Sequence, residues 1–261
     1  MDDFYLTSQW LAAYVEAQWA DFASDLHQDE AGGESSQIPL SFILSPFHTE
    51  VPELILQKLK AISLRPKSLL EVGSSLGRVN YEIVSSLDCI HSVYLVEPSK
   101  RLFESSKDIL LKGGISRFDR VVARENTQFE LDTSEIANSY KHLDVIAINK
   151  PATAELDVPE CDLVVCLNVL DQCDSPDEIM TFLFDKVPPG GVLALSCSYQ
   201  WNKKHLKNPE EQVNDIKQYF DERWRLLGEN EFEYRFRVNE RYSMLFLSHT
   251  VVFQREAGEG R

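Results

Sequence analysis

Short apolar runs alternate with helical periodicity through the middle of the chain, and this alternation restricts the fold more than any other feature. SLLEV (68–72), SVYLVE (92–97), DVIAIN (144–149), DLVVCLN (162–168) and VLALSCS (192–198) have strand length and are apolar through most of it. Strands buried on both faces have this composition, because helices cover both sides of a parallel sheet. Between them the spacing predicts helices over 78–87, over 99–112 (closed by Gly113 and Gly114) and over 175–187. The last has Ser175 as N-cap and Glu178 completing a capping box, and PPGG (188–191) turns it into the next strand.

The flanks follow other patterns. Leu11, Val15, Trp19, Phe22 and Leu26 recur at helical spacing, which predicts an amphipathic helix over 8–26. HQDEAGGESSQ (27–37) has no apolar period and reads as a linker. Val51, Leu54, Ile55, Leu59 and Ile62 line one face of a helix over 50–62, with Pro52 in its first turn. Downstream, Val213, Ile216, Phe220, Trp224 and Leu227 predict a helix over 208–227. FEYRFRV (232–238) and MLFLSHTVVF (244–253) are strand-like with no helix between them, so they are expected to pair antiparallel. The stretch 115–143 fits no element of the alternation and reads as an insertion. The fold class is therefore α/β, Rossmann-like and doubly wound, with a mostly parallel sheet, a C-terminal antiparallel hairpin and an N-terminal helical extension.

Charge narrows the function. The 261 residues carry a formal net charge of −16, the wrong sign for neutralising a phosphate backbone, so no nucleic-acid partner is expected. The apolar runs are too short to span a bilayer, and MDDFYLTSQW has acids where a signal peptide needs a basic start. A cytoplasmic protein with no membrane partner is expected. The five cysteines (Cys89, Cys161, Cys166, Cys173, Cys197) form no CxxC pair. They read as reduced, mostly buried thiols with no metal site.

The first strand runs into a glycine turn, LLEVGSSLGRVNYEIV (69–84), and then a helix. In a doubly wound sheet this turn faces the ligand, and glycine lets backbone come close. A dinucleotide turn needs G-x-G-x-x-G around a pyrophosphate. Here Ser75 and Arg78 stand where two of those glycines would be. S-adenosylmethionine has no phosphate and needs only close approach around its aminoacyl tail, which E-x-G-x-x-x-G can provide. Glu97, followed by Pro98, ends the second strand, where an acid can accept hydrogen bonds from ribose hydroxyls. The alternatives are a turn shaped only by packing, with Glu97 a solvated strand-end acid, and a nicotinamide-linked oxidoreductase.

LLEVGSSLGR, YLVEPS, the run CDLVVCLNVLDQCDSPDEIMTFLFDKVPPGGVLALS and the terminal strand pair together resemble class I S-adenosylmethionine-dependent methyltransferases, over roughly residues 45–255. The resemblance implies a seven-stranded sheet and a division into an N-terminal helical extension and flexible linker (1–44), a methyltransferase domain (45–255) and a disordered tail (256–261). It implies a cofactor site made by Glu71, Gly73, Ser74, Ser75, Gly77 and Arg78 around the methionine tail, Glu97 and Pro98 at the ribose, and Asn168 with Val169 as the floor near the transferred methyl. SPFHT (45–49), RVNYE (78–82), CSYQW (197–201) and FRVNERYSMLFLSHTVVFQR (236–255) further resemble the methyltransferase domain of ovothiol-type synthases. That domain methylates a ring nitrogen of mercaptohistidine. This likeness implies Phe47 and His48 over the cofactor, Tyr199 and Trp201 beside a small amino-acid-like acceptor, and Arg237, Asn239 and Arg241 facing a substrate carboxylate.

On this basis Tyr199 and Asn168 are the expected catalytic residues, with Tyr199 orienting the acceptor by hydrogen bond. Trp201 either stacks on a flat ring or packs under the 208–227 helix. Arg237 and Arg241 either clamp a carboxylate or pair with surface acids. The chain departs from the family's pattern after the third strand of the alternation, where Asn149-Lys150-Pro151 replaces the acid that meets the adenine amino group. That departure motivates the other functional class, a catalytically silent methyltransferase-like subunit that binds a protein partner.

Overall fold

The structure is a computed structural model that describes residues 7–23, 43–122, 125–239 and 242–257. A seven-stranded sheet has the order β5-β2-β1-β6-β7-β9-β8. Its parallel strands are β1 (Ser68–Val72), β2 (Ser92–Val96), β5 (Asp144–Ile148), β6 (Leu163–Leu167) and β7 (Val192–Cys197). β9 (Tyr242–Arg255) runs antiparallel to β7 and to β8 (Trp224–Asn239). The chain builds β1, β2 and β5 outward in one direction and then returns to place β6 beside β1. The carboxyl ends of β1 and β6 therefore flank the topological switch point, where such sheets bind ligands.

Apolar residues fill both faces, as the uninterrupted runs predict. Leu69, Val93, Leu163, Val165 and Val192 face a layer made by α1 (Ser8–Trp19), α2 (Phe47–Ala61), α3 (Arg78–Ser86) and α5 (Ser134–Tyr140). Leu70, Val72, Val164, Leu193 and Leu195 face a layer made by α6 (Pro176–Lys186) and by irregular chain around 152–158 and 216–224. Ser175 Oγ accepts the Glu178 N–H, so α6 starts where its cap places it. α4 (Lys100–Lys107), capped by Ser99, widens into a π-helical turn over Asp108–Lys112 and stops at Gly113, φ +72°.

The expected helix over 208–227 does not form. Asn208 and Asp215 each accept the backbone N–H two residues on and start 3-10 turns at Pro209–Glu211 and Ile216–Tyr219. Asx side chains that bond their own backbone compete with the helical ladder in this way. Trp224 is claimed by β8, opposite Arg255. The apolar residues still reach the core, but as an aromatic stack in which Phe220 lies flat on Phe253 with centroids 3.8 Å apart. β8 and β9 are both longer than their apolar runs, and their far halves extend beyond the end of β7. Pro52 falls in the second turn of α2, which begins at Phe47. The unassigned stretch 115–143 is an antiparallel pair, β3 (Ile115–Val122) and β4 (Glu125–Asp132), followed by α5. Leu26 and the linker at 27–37 lie outside the described residues.

α1 belongs to the same core as the rest of the molecule. Val15, Ala17 and Trp19 are fully buried, and Ala23 bridges to Leu131 on β4. On its other side Trp10 stacks on Phe236 of β8 at 5.3 Å. Glu16 meets the Arg237 guanidinium at 3.2 and 3.3 Å, with side-chain exposures of only 2% and 4%. Removing one partner of a buried pair strands the other charge. Arg237→Ala is expected to lower unfolding free energy by about 3–5 kcal/mol, measured by urea denaturation. A loss under about 1 kcal/mol, the value of an exposed pair, would show that water reaches Glu16.

Candidate active site

The turn after β1 is bent by Gly73 (φ +71°) and Gly77 (φ +80°). A Cβ on Gly73 would overlap Val169 Cγ2, and one on Gly77 would overlap Leu110. Glycine is thus required at both positions by backbone shape and by close packing. The Gly73 and Ser74 N–H groups both donate to Val96 O, at 2.8 and 3.2 Å. Glu97, 5% exposed, accepts the Ser75 N–H at 2.9 Å and the Ser99 N–H at 2.8 Å. The ends of β1 and β2 are thereby tied through one carboxylate.

Among the described residues, four non-glycine residues have positive φ. Three of them, Ser75 (+50°), Asn168 (+53°) and Tyr199 (+56°), stand just past the ends of β1, β6 and β7. Such conformations cost of order 1–3 kcal/mol each and persist only where surrounding contacts impose them. At Asn168 the contacts are clear. Its N–H reaches Ser196 O at 3.0 Å. Its Oδ1 accepts the Ser196 and Ser248 hydroxyls at 3.2 and 2.6 Å. The amide is thus held against Ser196 and Ser248, and its Nδ2 makes no hydrogen bond among the described residues.

Tyr199 lies elsewhere. Its ring packs on the α6 layer. Its hydroxyl meets His249 Nδ1 at 2.6 Å and accepts the Ile216 N–H at 3.1 Å, while His249 Nε2 reaches Glu229 at 3.2 Å. Burial pushes the phenol up to about 12. The two expected catalytic residues are therefore not brought together, and the Tyr199 hydroxyl is committed to holding its own loop. Trp201 is half-buried against the same layer.

Polar groups around the glycine turn are buried. Glu71 Oε2, Ser74 Oγ and Asn80 Nδ2 have no hydrogen-bond partner among the described residues. Burial pushes the Glu71 carboxyl up to about 8; Asn80 beside it offsets part of the rise, and the nearby Glu97 charge adds to it. Burial, with the Arg78 charge, lowers His48 to about 3, so the ring is neutral. It packs edge-on with Tyr234, as does Phe47, inside the first turn of α2. Asn149 donates Nδ2 to Glu97 O at 2.8 Å and to Pro98 O at 3.2 Å. Two carbonyl partners require the nitrogen on that side, which leaves Oδ1 as an acceptor at the position that lacks an acid. Pro98 is exposed at the rim, and Val169 is partly buried beneath Gly73.

The arginines are used differently from expectation. The Arg78 guanidinium turns away from the glycine turn to bond Gln18 O at 2.6 Å, Asp21 at 2.6 and 2.7 Å and Glu82 at 2.7 Å. Arg237 faces Glu16 and is not presented to a substrate carboxylate, because a buried guanidinium takes the nearest buried acid. Asn239 ends β8, opposite Tyr242, and Arg241 lies outside the described residues.

Two residues escaped the sequence reading. Asp171, 1% exposed, accepts the Ser198 hydroxyl at 2.5 Å and the Gln200 N–H at 3.3 Å, stapling the loop after β6 to the loop after β7. Nothing in DQCDSPDE separates it from its acidic neighbours. Gln18, on α1, bonds Ser75 and Arg78; in sequence it is one more polar position on a helix.

A family profile described as a methyltransferase domain matches residues 47–237. Among solved structures the chain is similar to the N-methyltransferase NodS from Bradyrhizobium japonicum WM9 in complex with S-adenosyl-L-homocysteine, at 12% identity and a TM-score of 0.53, covering 96% of this chain and 100% of that one. It is also similar to magnesium protoporphyrin IX methyltransferase from Synechocystis PCC 6803 with bound S-adenosylmethionine, at 12% identity and a TM-score of 0.51, covering 96% and 98%. At these identities the likeness is one of fold. No curated protein matches the sequence. Among the described residues no helix is long and apolar enough to cross a membrane.

The Glu71 shift gives a signed pH dependence. A carboxyl whose pKa rises on folding favours the folded form fully below its unfolded value. It loses that advantage as pH climbs toward about 8, at about 1.4 kcal/mol per unit of pKa difference. Glu71→Gln has no proton to lose. Its melting temperature relative to wild type is expected to climb between about pH 5 and pH 8 and then level off in scanning calorimetry. A difference independent of pH would show that Glu71 ionises normally.

Proposed function

The chain belongs to the methyltransferase-domain family, and from that premise we propose that the turn after β1 holds S-adenosylmethionine and that the loop after β6 presents a small acceptor to it. The observation that carries the reading is the meeting of Gly73 with Val169 at the switch point, with the Glu97 carboxylate at the end of the adjacent strand. S-adenosylmethionine supplies an electrophilic methyl group on a sulfonium.

The residues present fit that group. Gly73 and Gly77 keep side chains out of the path of an aminoacyl tail. Glu71 Oε2 and Ser74 Oγ are buried polar atoms with no protein partner among the described residues, as expected of groups that meet a polar ligand. Glu97 is assigned to the ribose hydroxyls. Asn149 Oδ1 is assigned to the exocyclic amine of adenine, in place of the acid that relatives with an acidic third-strand end use. Asn168 and Val169 form the floor, and the Asn168 Nδ2 is the donor we assign to the acceptor.

What the protein is assigned to contribute to the reaction is alignment of donor and acceptor. Proximity and orientation are worth on the order of 7–11 kcal/mol. Among the described residues the Asn168 side chain bonds only Ser196 and Ser248, and an acceptor nitrogen that is already neutral, such as an imidazole with a reference pKa of about 6.5, needs no dedicated base. A histidine-derived acceptor is supported by that requirement and by the likeness in SPFHT and CSYQW. Of the carboxylate clamp in that reading, Arg237 pairs with Glu16, and Asn239 and Arg241 are the residues we assign to it. Tyr199 serves by fixing the loop 198–201 through His249 and Ile216.

Calorimetric titration with S-adenosylmethionine and S-adenosylhomocysteine tests the donor site. Micromolar binding is expected, weakened at least about tenfold, or about 1.4 kcal/mol, by Glu97→Ala. With donor at saturation, Asn168→Ala is expected to lower the rate of methyl transfer to imidazole acceptors. A folded protein that binds neither ligand would sink the donor assignment.

A further inference from the structure

Gln18 is on the inner side of α1 and only 2% exposed. Both hydrogen bonds of its side chain go to the glycine turn. Nε2 donates to Ser75 Oγ at 3.0 Å, and Oε1 accepts the Arg78 N–H over a longer 3.4 Å. The orientation of the amide is fixed, because only its oxygen can meet an N–H. The Gln18 carbonyl also takes the Arg78 guanidinium at 2.6 Å. One residue of α1 therefore grips Ser75 and the first residue of α3, on either side of Gly77. Ser75 is the left-handed non-glycine of that turn, φ +50°, and its N–H is the one that reaches Glu97 Oε2. A primary amide buried this deeply is costly unless each bond is made, and every bond it makes stabilises the turn.

We propose that Gln18 is a positioning residue for the methyl-donor site. It holds Ser75 left-handed, so that the turn keeps its opening toward the ligand and Glu97 keeps its place. α1 is then a wall of the site, anchored to β8 by the Glu16–Arg237 pair two residues back. This inference rests on the donor-site reading given above.

Gln18→Met keeps the length of the side chain and removes both hydrogen bonds. Ser75→Ala removes the hydroxyl that Gln18 meets. Each variant and the double variant are titrated with S-adenosylhomocysteine by calorimetry, and unfolding is recorded without ligand. Gln18→Met is expected to weaken binding about five- to tenfold, and the double variant to bind no more weakly than Gln18→Met, since both changes break the same contact. A role confined to packing would lower the melting temperature and leave affinity within about twofold of wild type, which would overturn the proposal. Additive losses in the double variant would overturn it as well. Hydrogen exchange on the unaltered protein gives a reading that does not depend on a variant folding. S-adenosylhomocysteine is expected to slow exchange of the α1 amides, and unchanged α1 exchange under saturating ligand counts against the proposal. A wild-type protein that is folded but binds no S-adenosylhomocysteine overturns the donor-site reading itself, an outcome distinct from a wild type that binds and a Gln18 variant that binds equally well.

Discussion

The Arg78 guanidinium is the interaction on which the upper half of the molecule depends. It is 3% exposed, and a buried cation is tolerated only when its donors are met by acids and carbonyls. Asp21 takes it from the α1 side, Glu82 from α3, and the Gln18 carbonyl from between them. Trp19 and Phe22 lie against its face at 5.1 and 5.2 Å. These contacts fasten the N-terminal helix to the start of α3, at the glycine turn. Loss of this hub would release α1 from the turn and leave a charge without partners in the core. An N-terminal stretch that reads as an extension is in physical terms part of the candidate site.

The remainder of the site follows from topology. Placing β6 beside β1 brings the turns after both strands into contact, and Gly73 can meet Val169 only because it lacks a side chain. The left-handed residues after β1, β6 and β7 are held by hydrogen bonds with other elements: Gln18 and Glu97 at Ser75, Ser196 and Ser248 at Asn168, and His249 and Ile216 at Tyr199. Strain at Asn168 is offset by two serine hydroxyls, one from β7 and one from β9. The antiparallel β9 is needed for that, since it delivers Ser248 to the end of β6.

Much of this was legible in the sequence. The apolar runs located β1, β2, β5, β6 and β7, because burial on both faces leaves a continuous signature. Ser175 marked the start of α6 through local cap chemistry. The expected 208–227 helix does not form: Phe220 and Trp224 have helical spacing, but Asn208 and Asp215 capture nearby N–H groups and β8 takes Trp224. Spacing reports which residues are buried and leaves open which backbone buries them. The stretch 115–143 was opaque because a short hairpin covered by one helix has a mixed pattern.

The sequence by itself determined the alternation of strands and helices, the glycines of the turn and the acid at the end of β2, since each depends on residues a few positions apart. Tertiary structure alone decided the partners of buried polar groups. Arg237 finds Glu16 across 221 residues of chain, and Gln18 finds Ser75 across 57. A charge or amide taken out of water must pair with whatever the fold brings beside it. That choice depends on three-dimensional packing, to which neither periodicity nor local motif is sensitive.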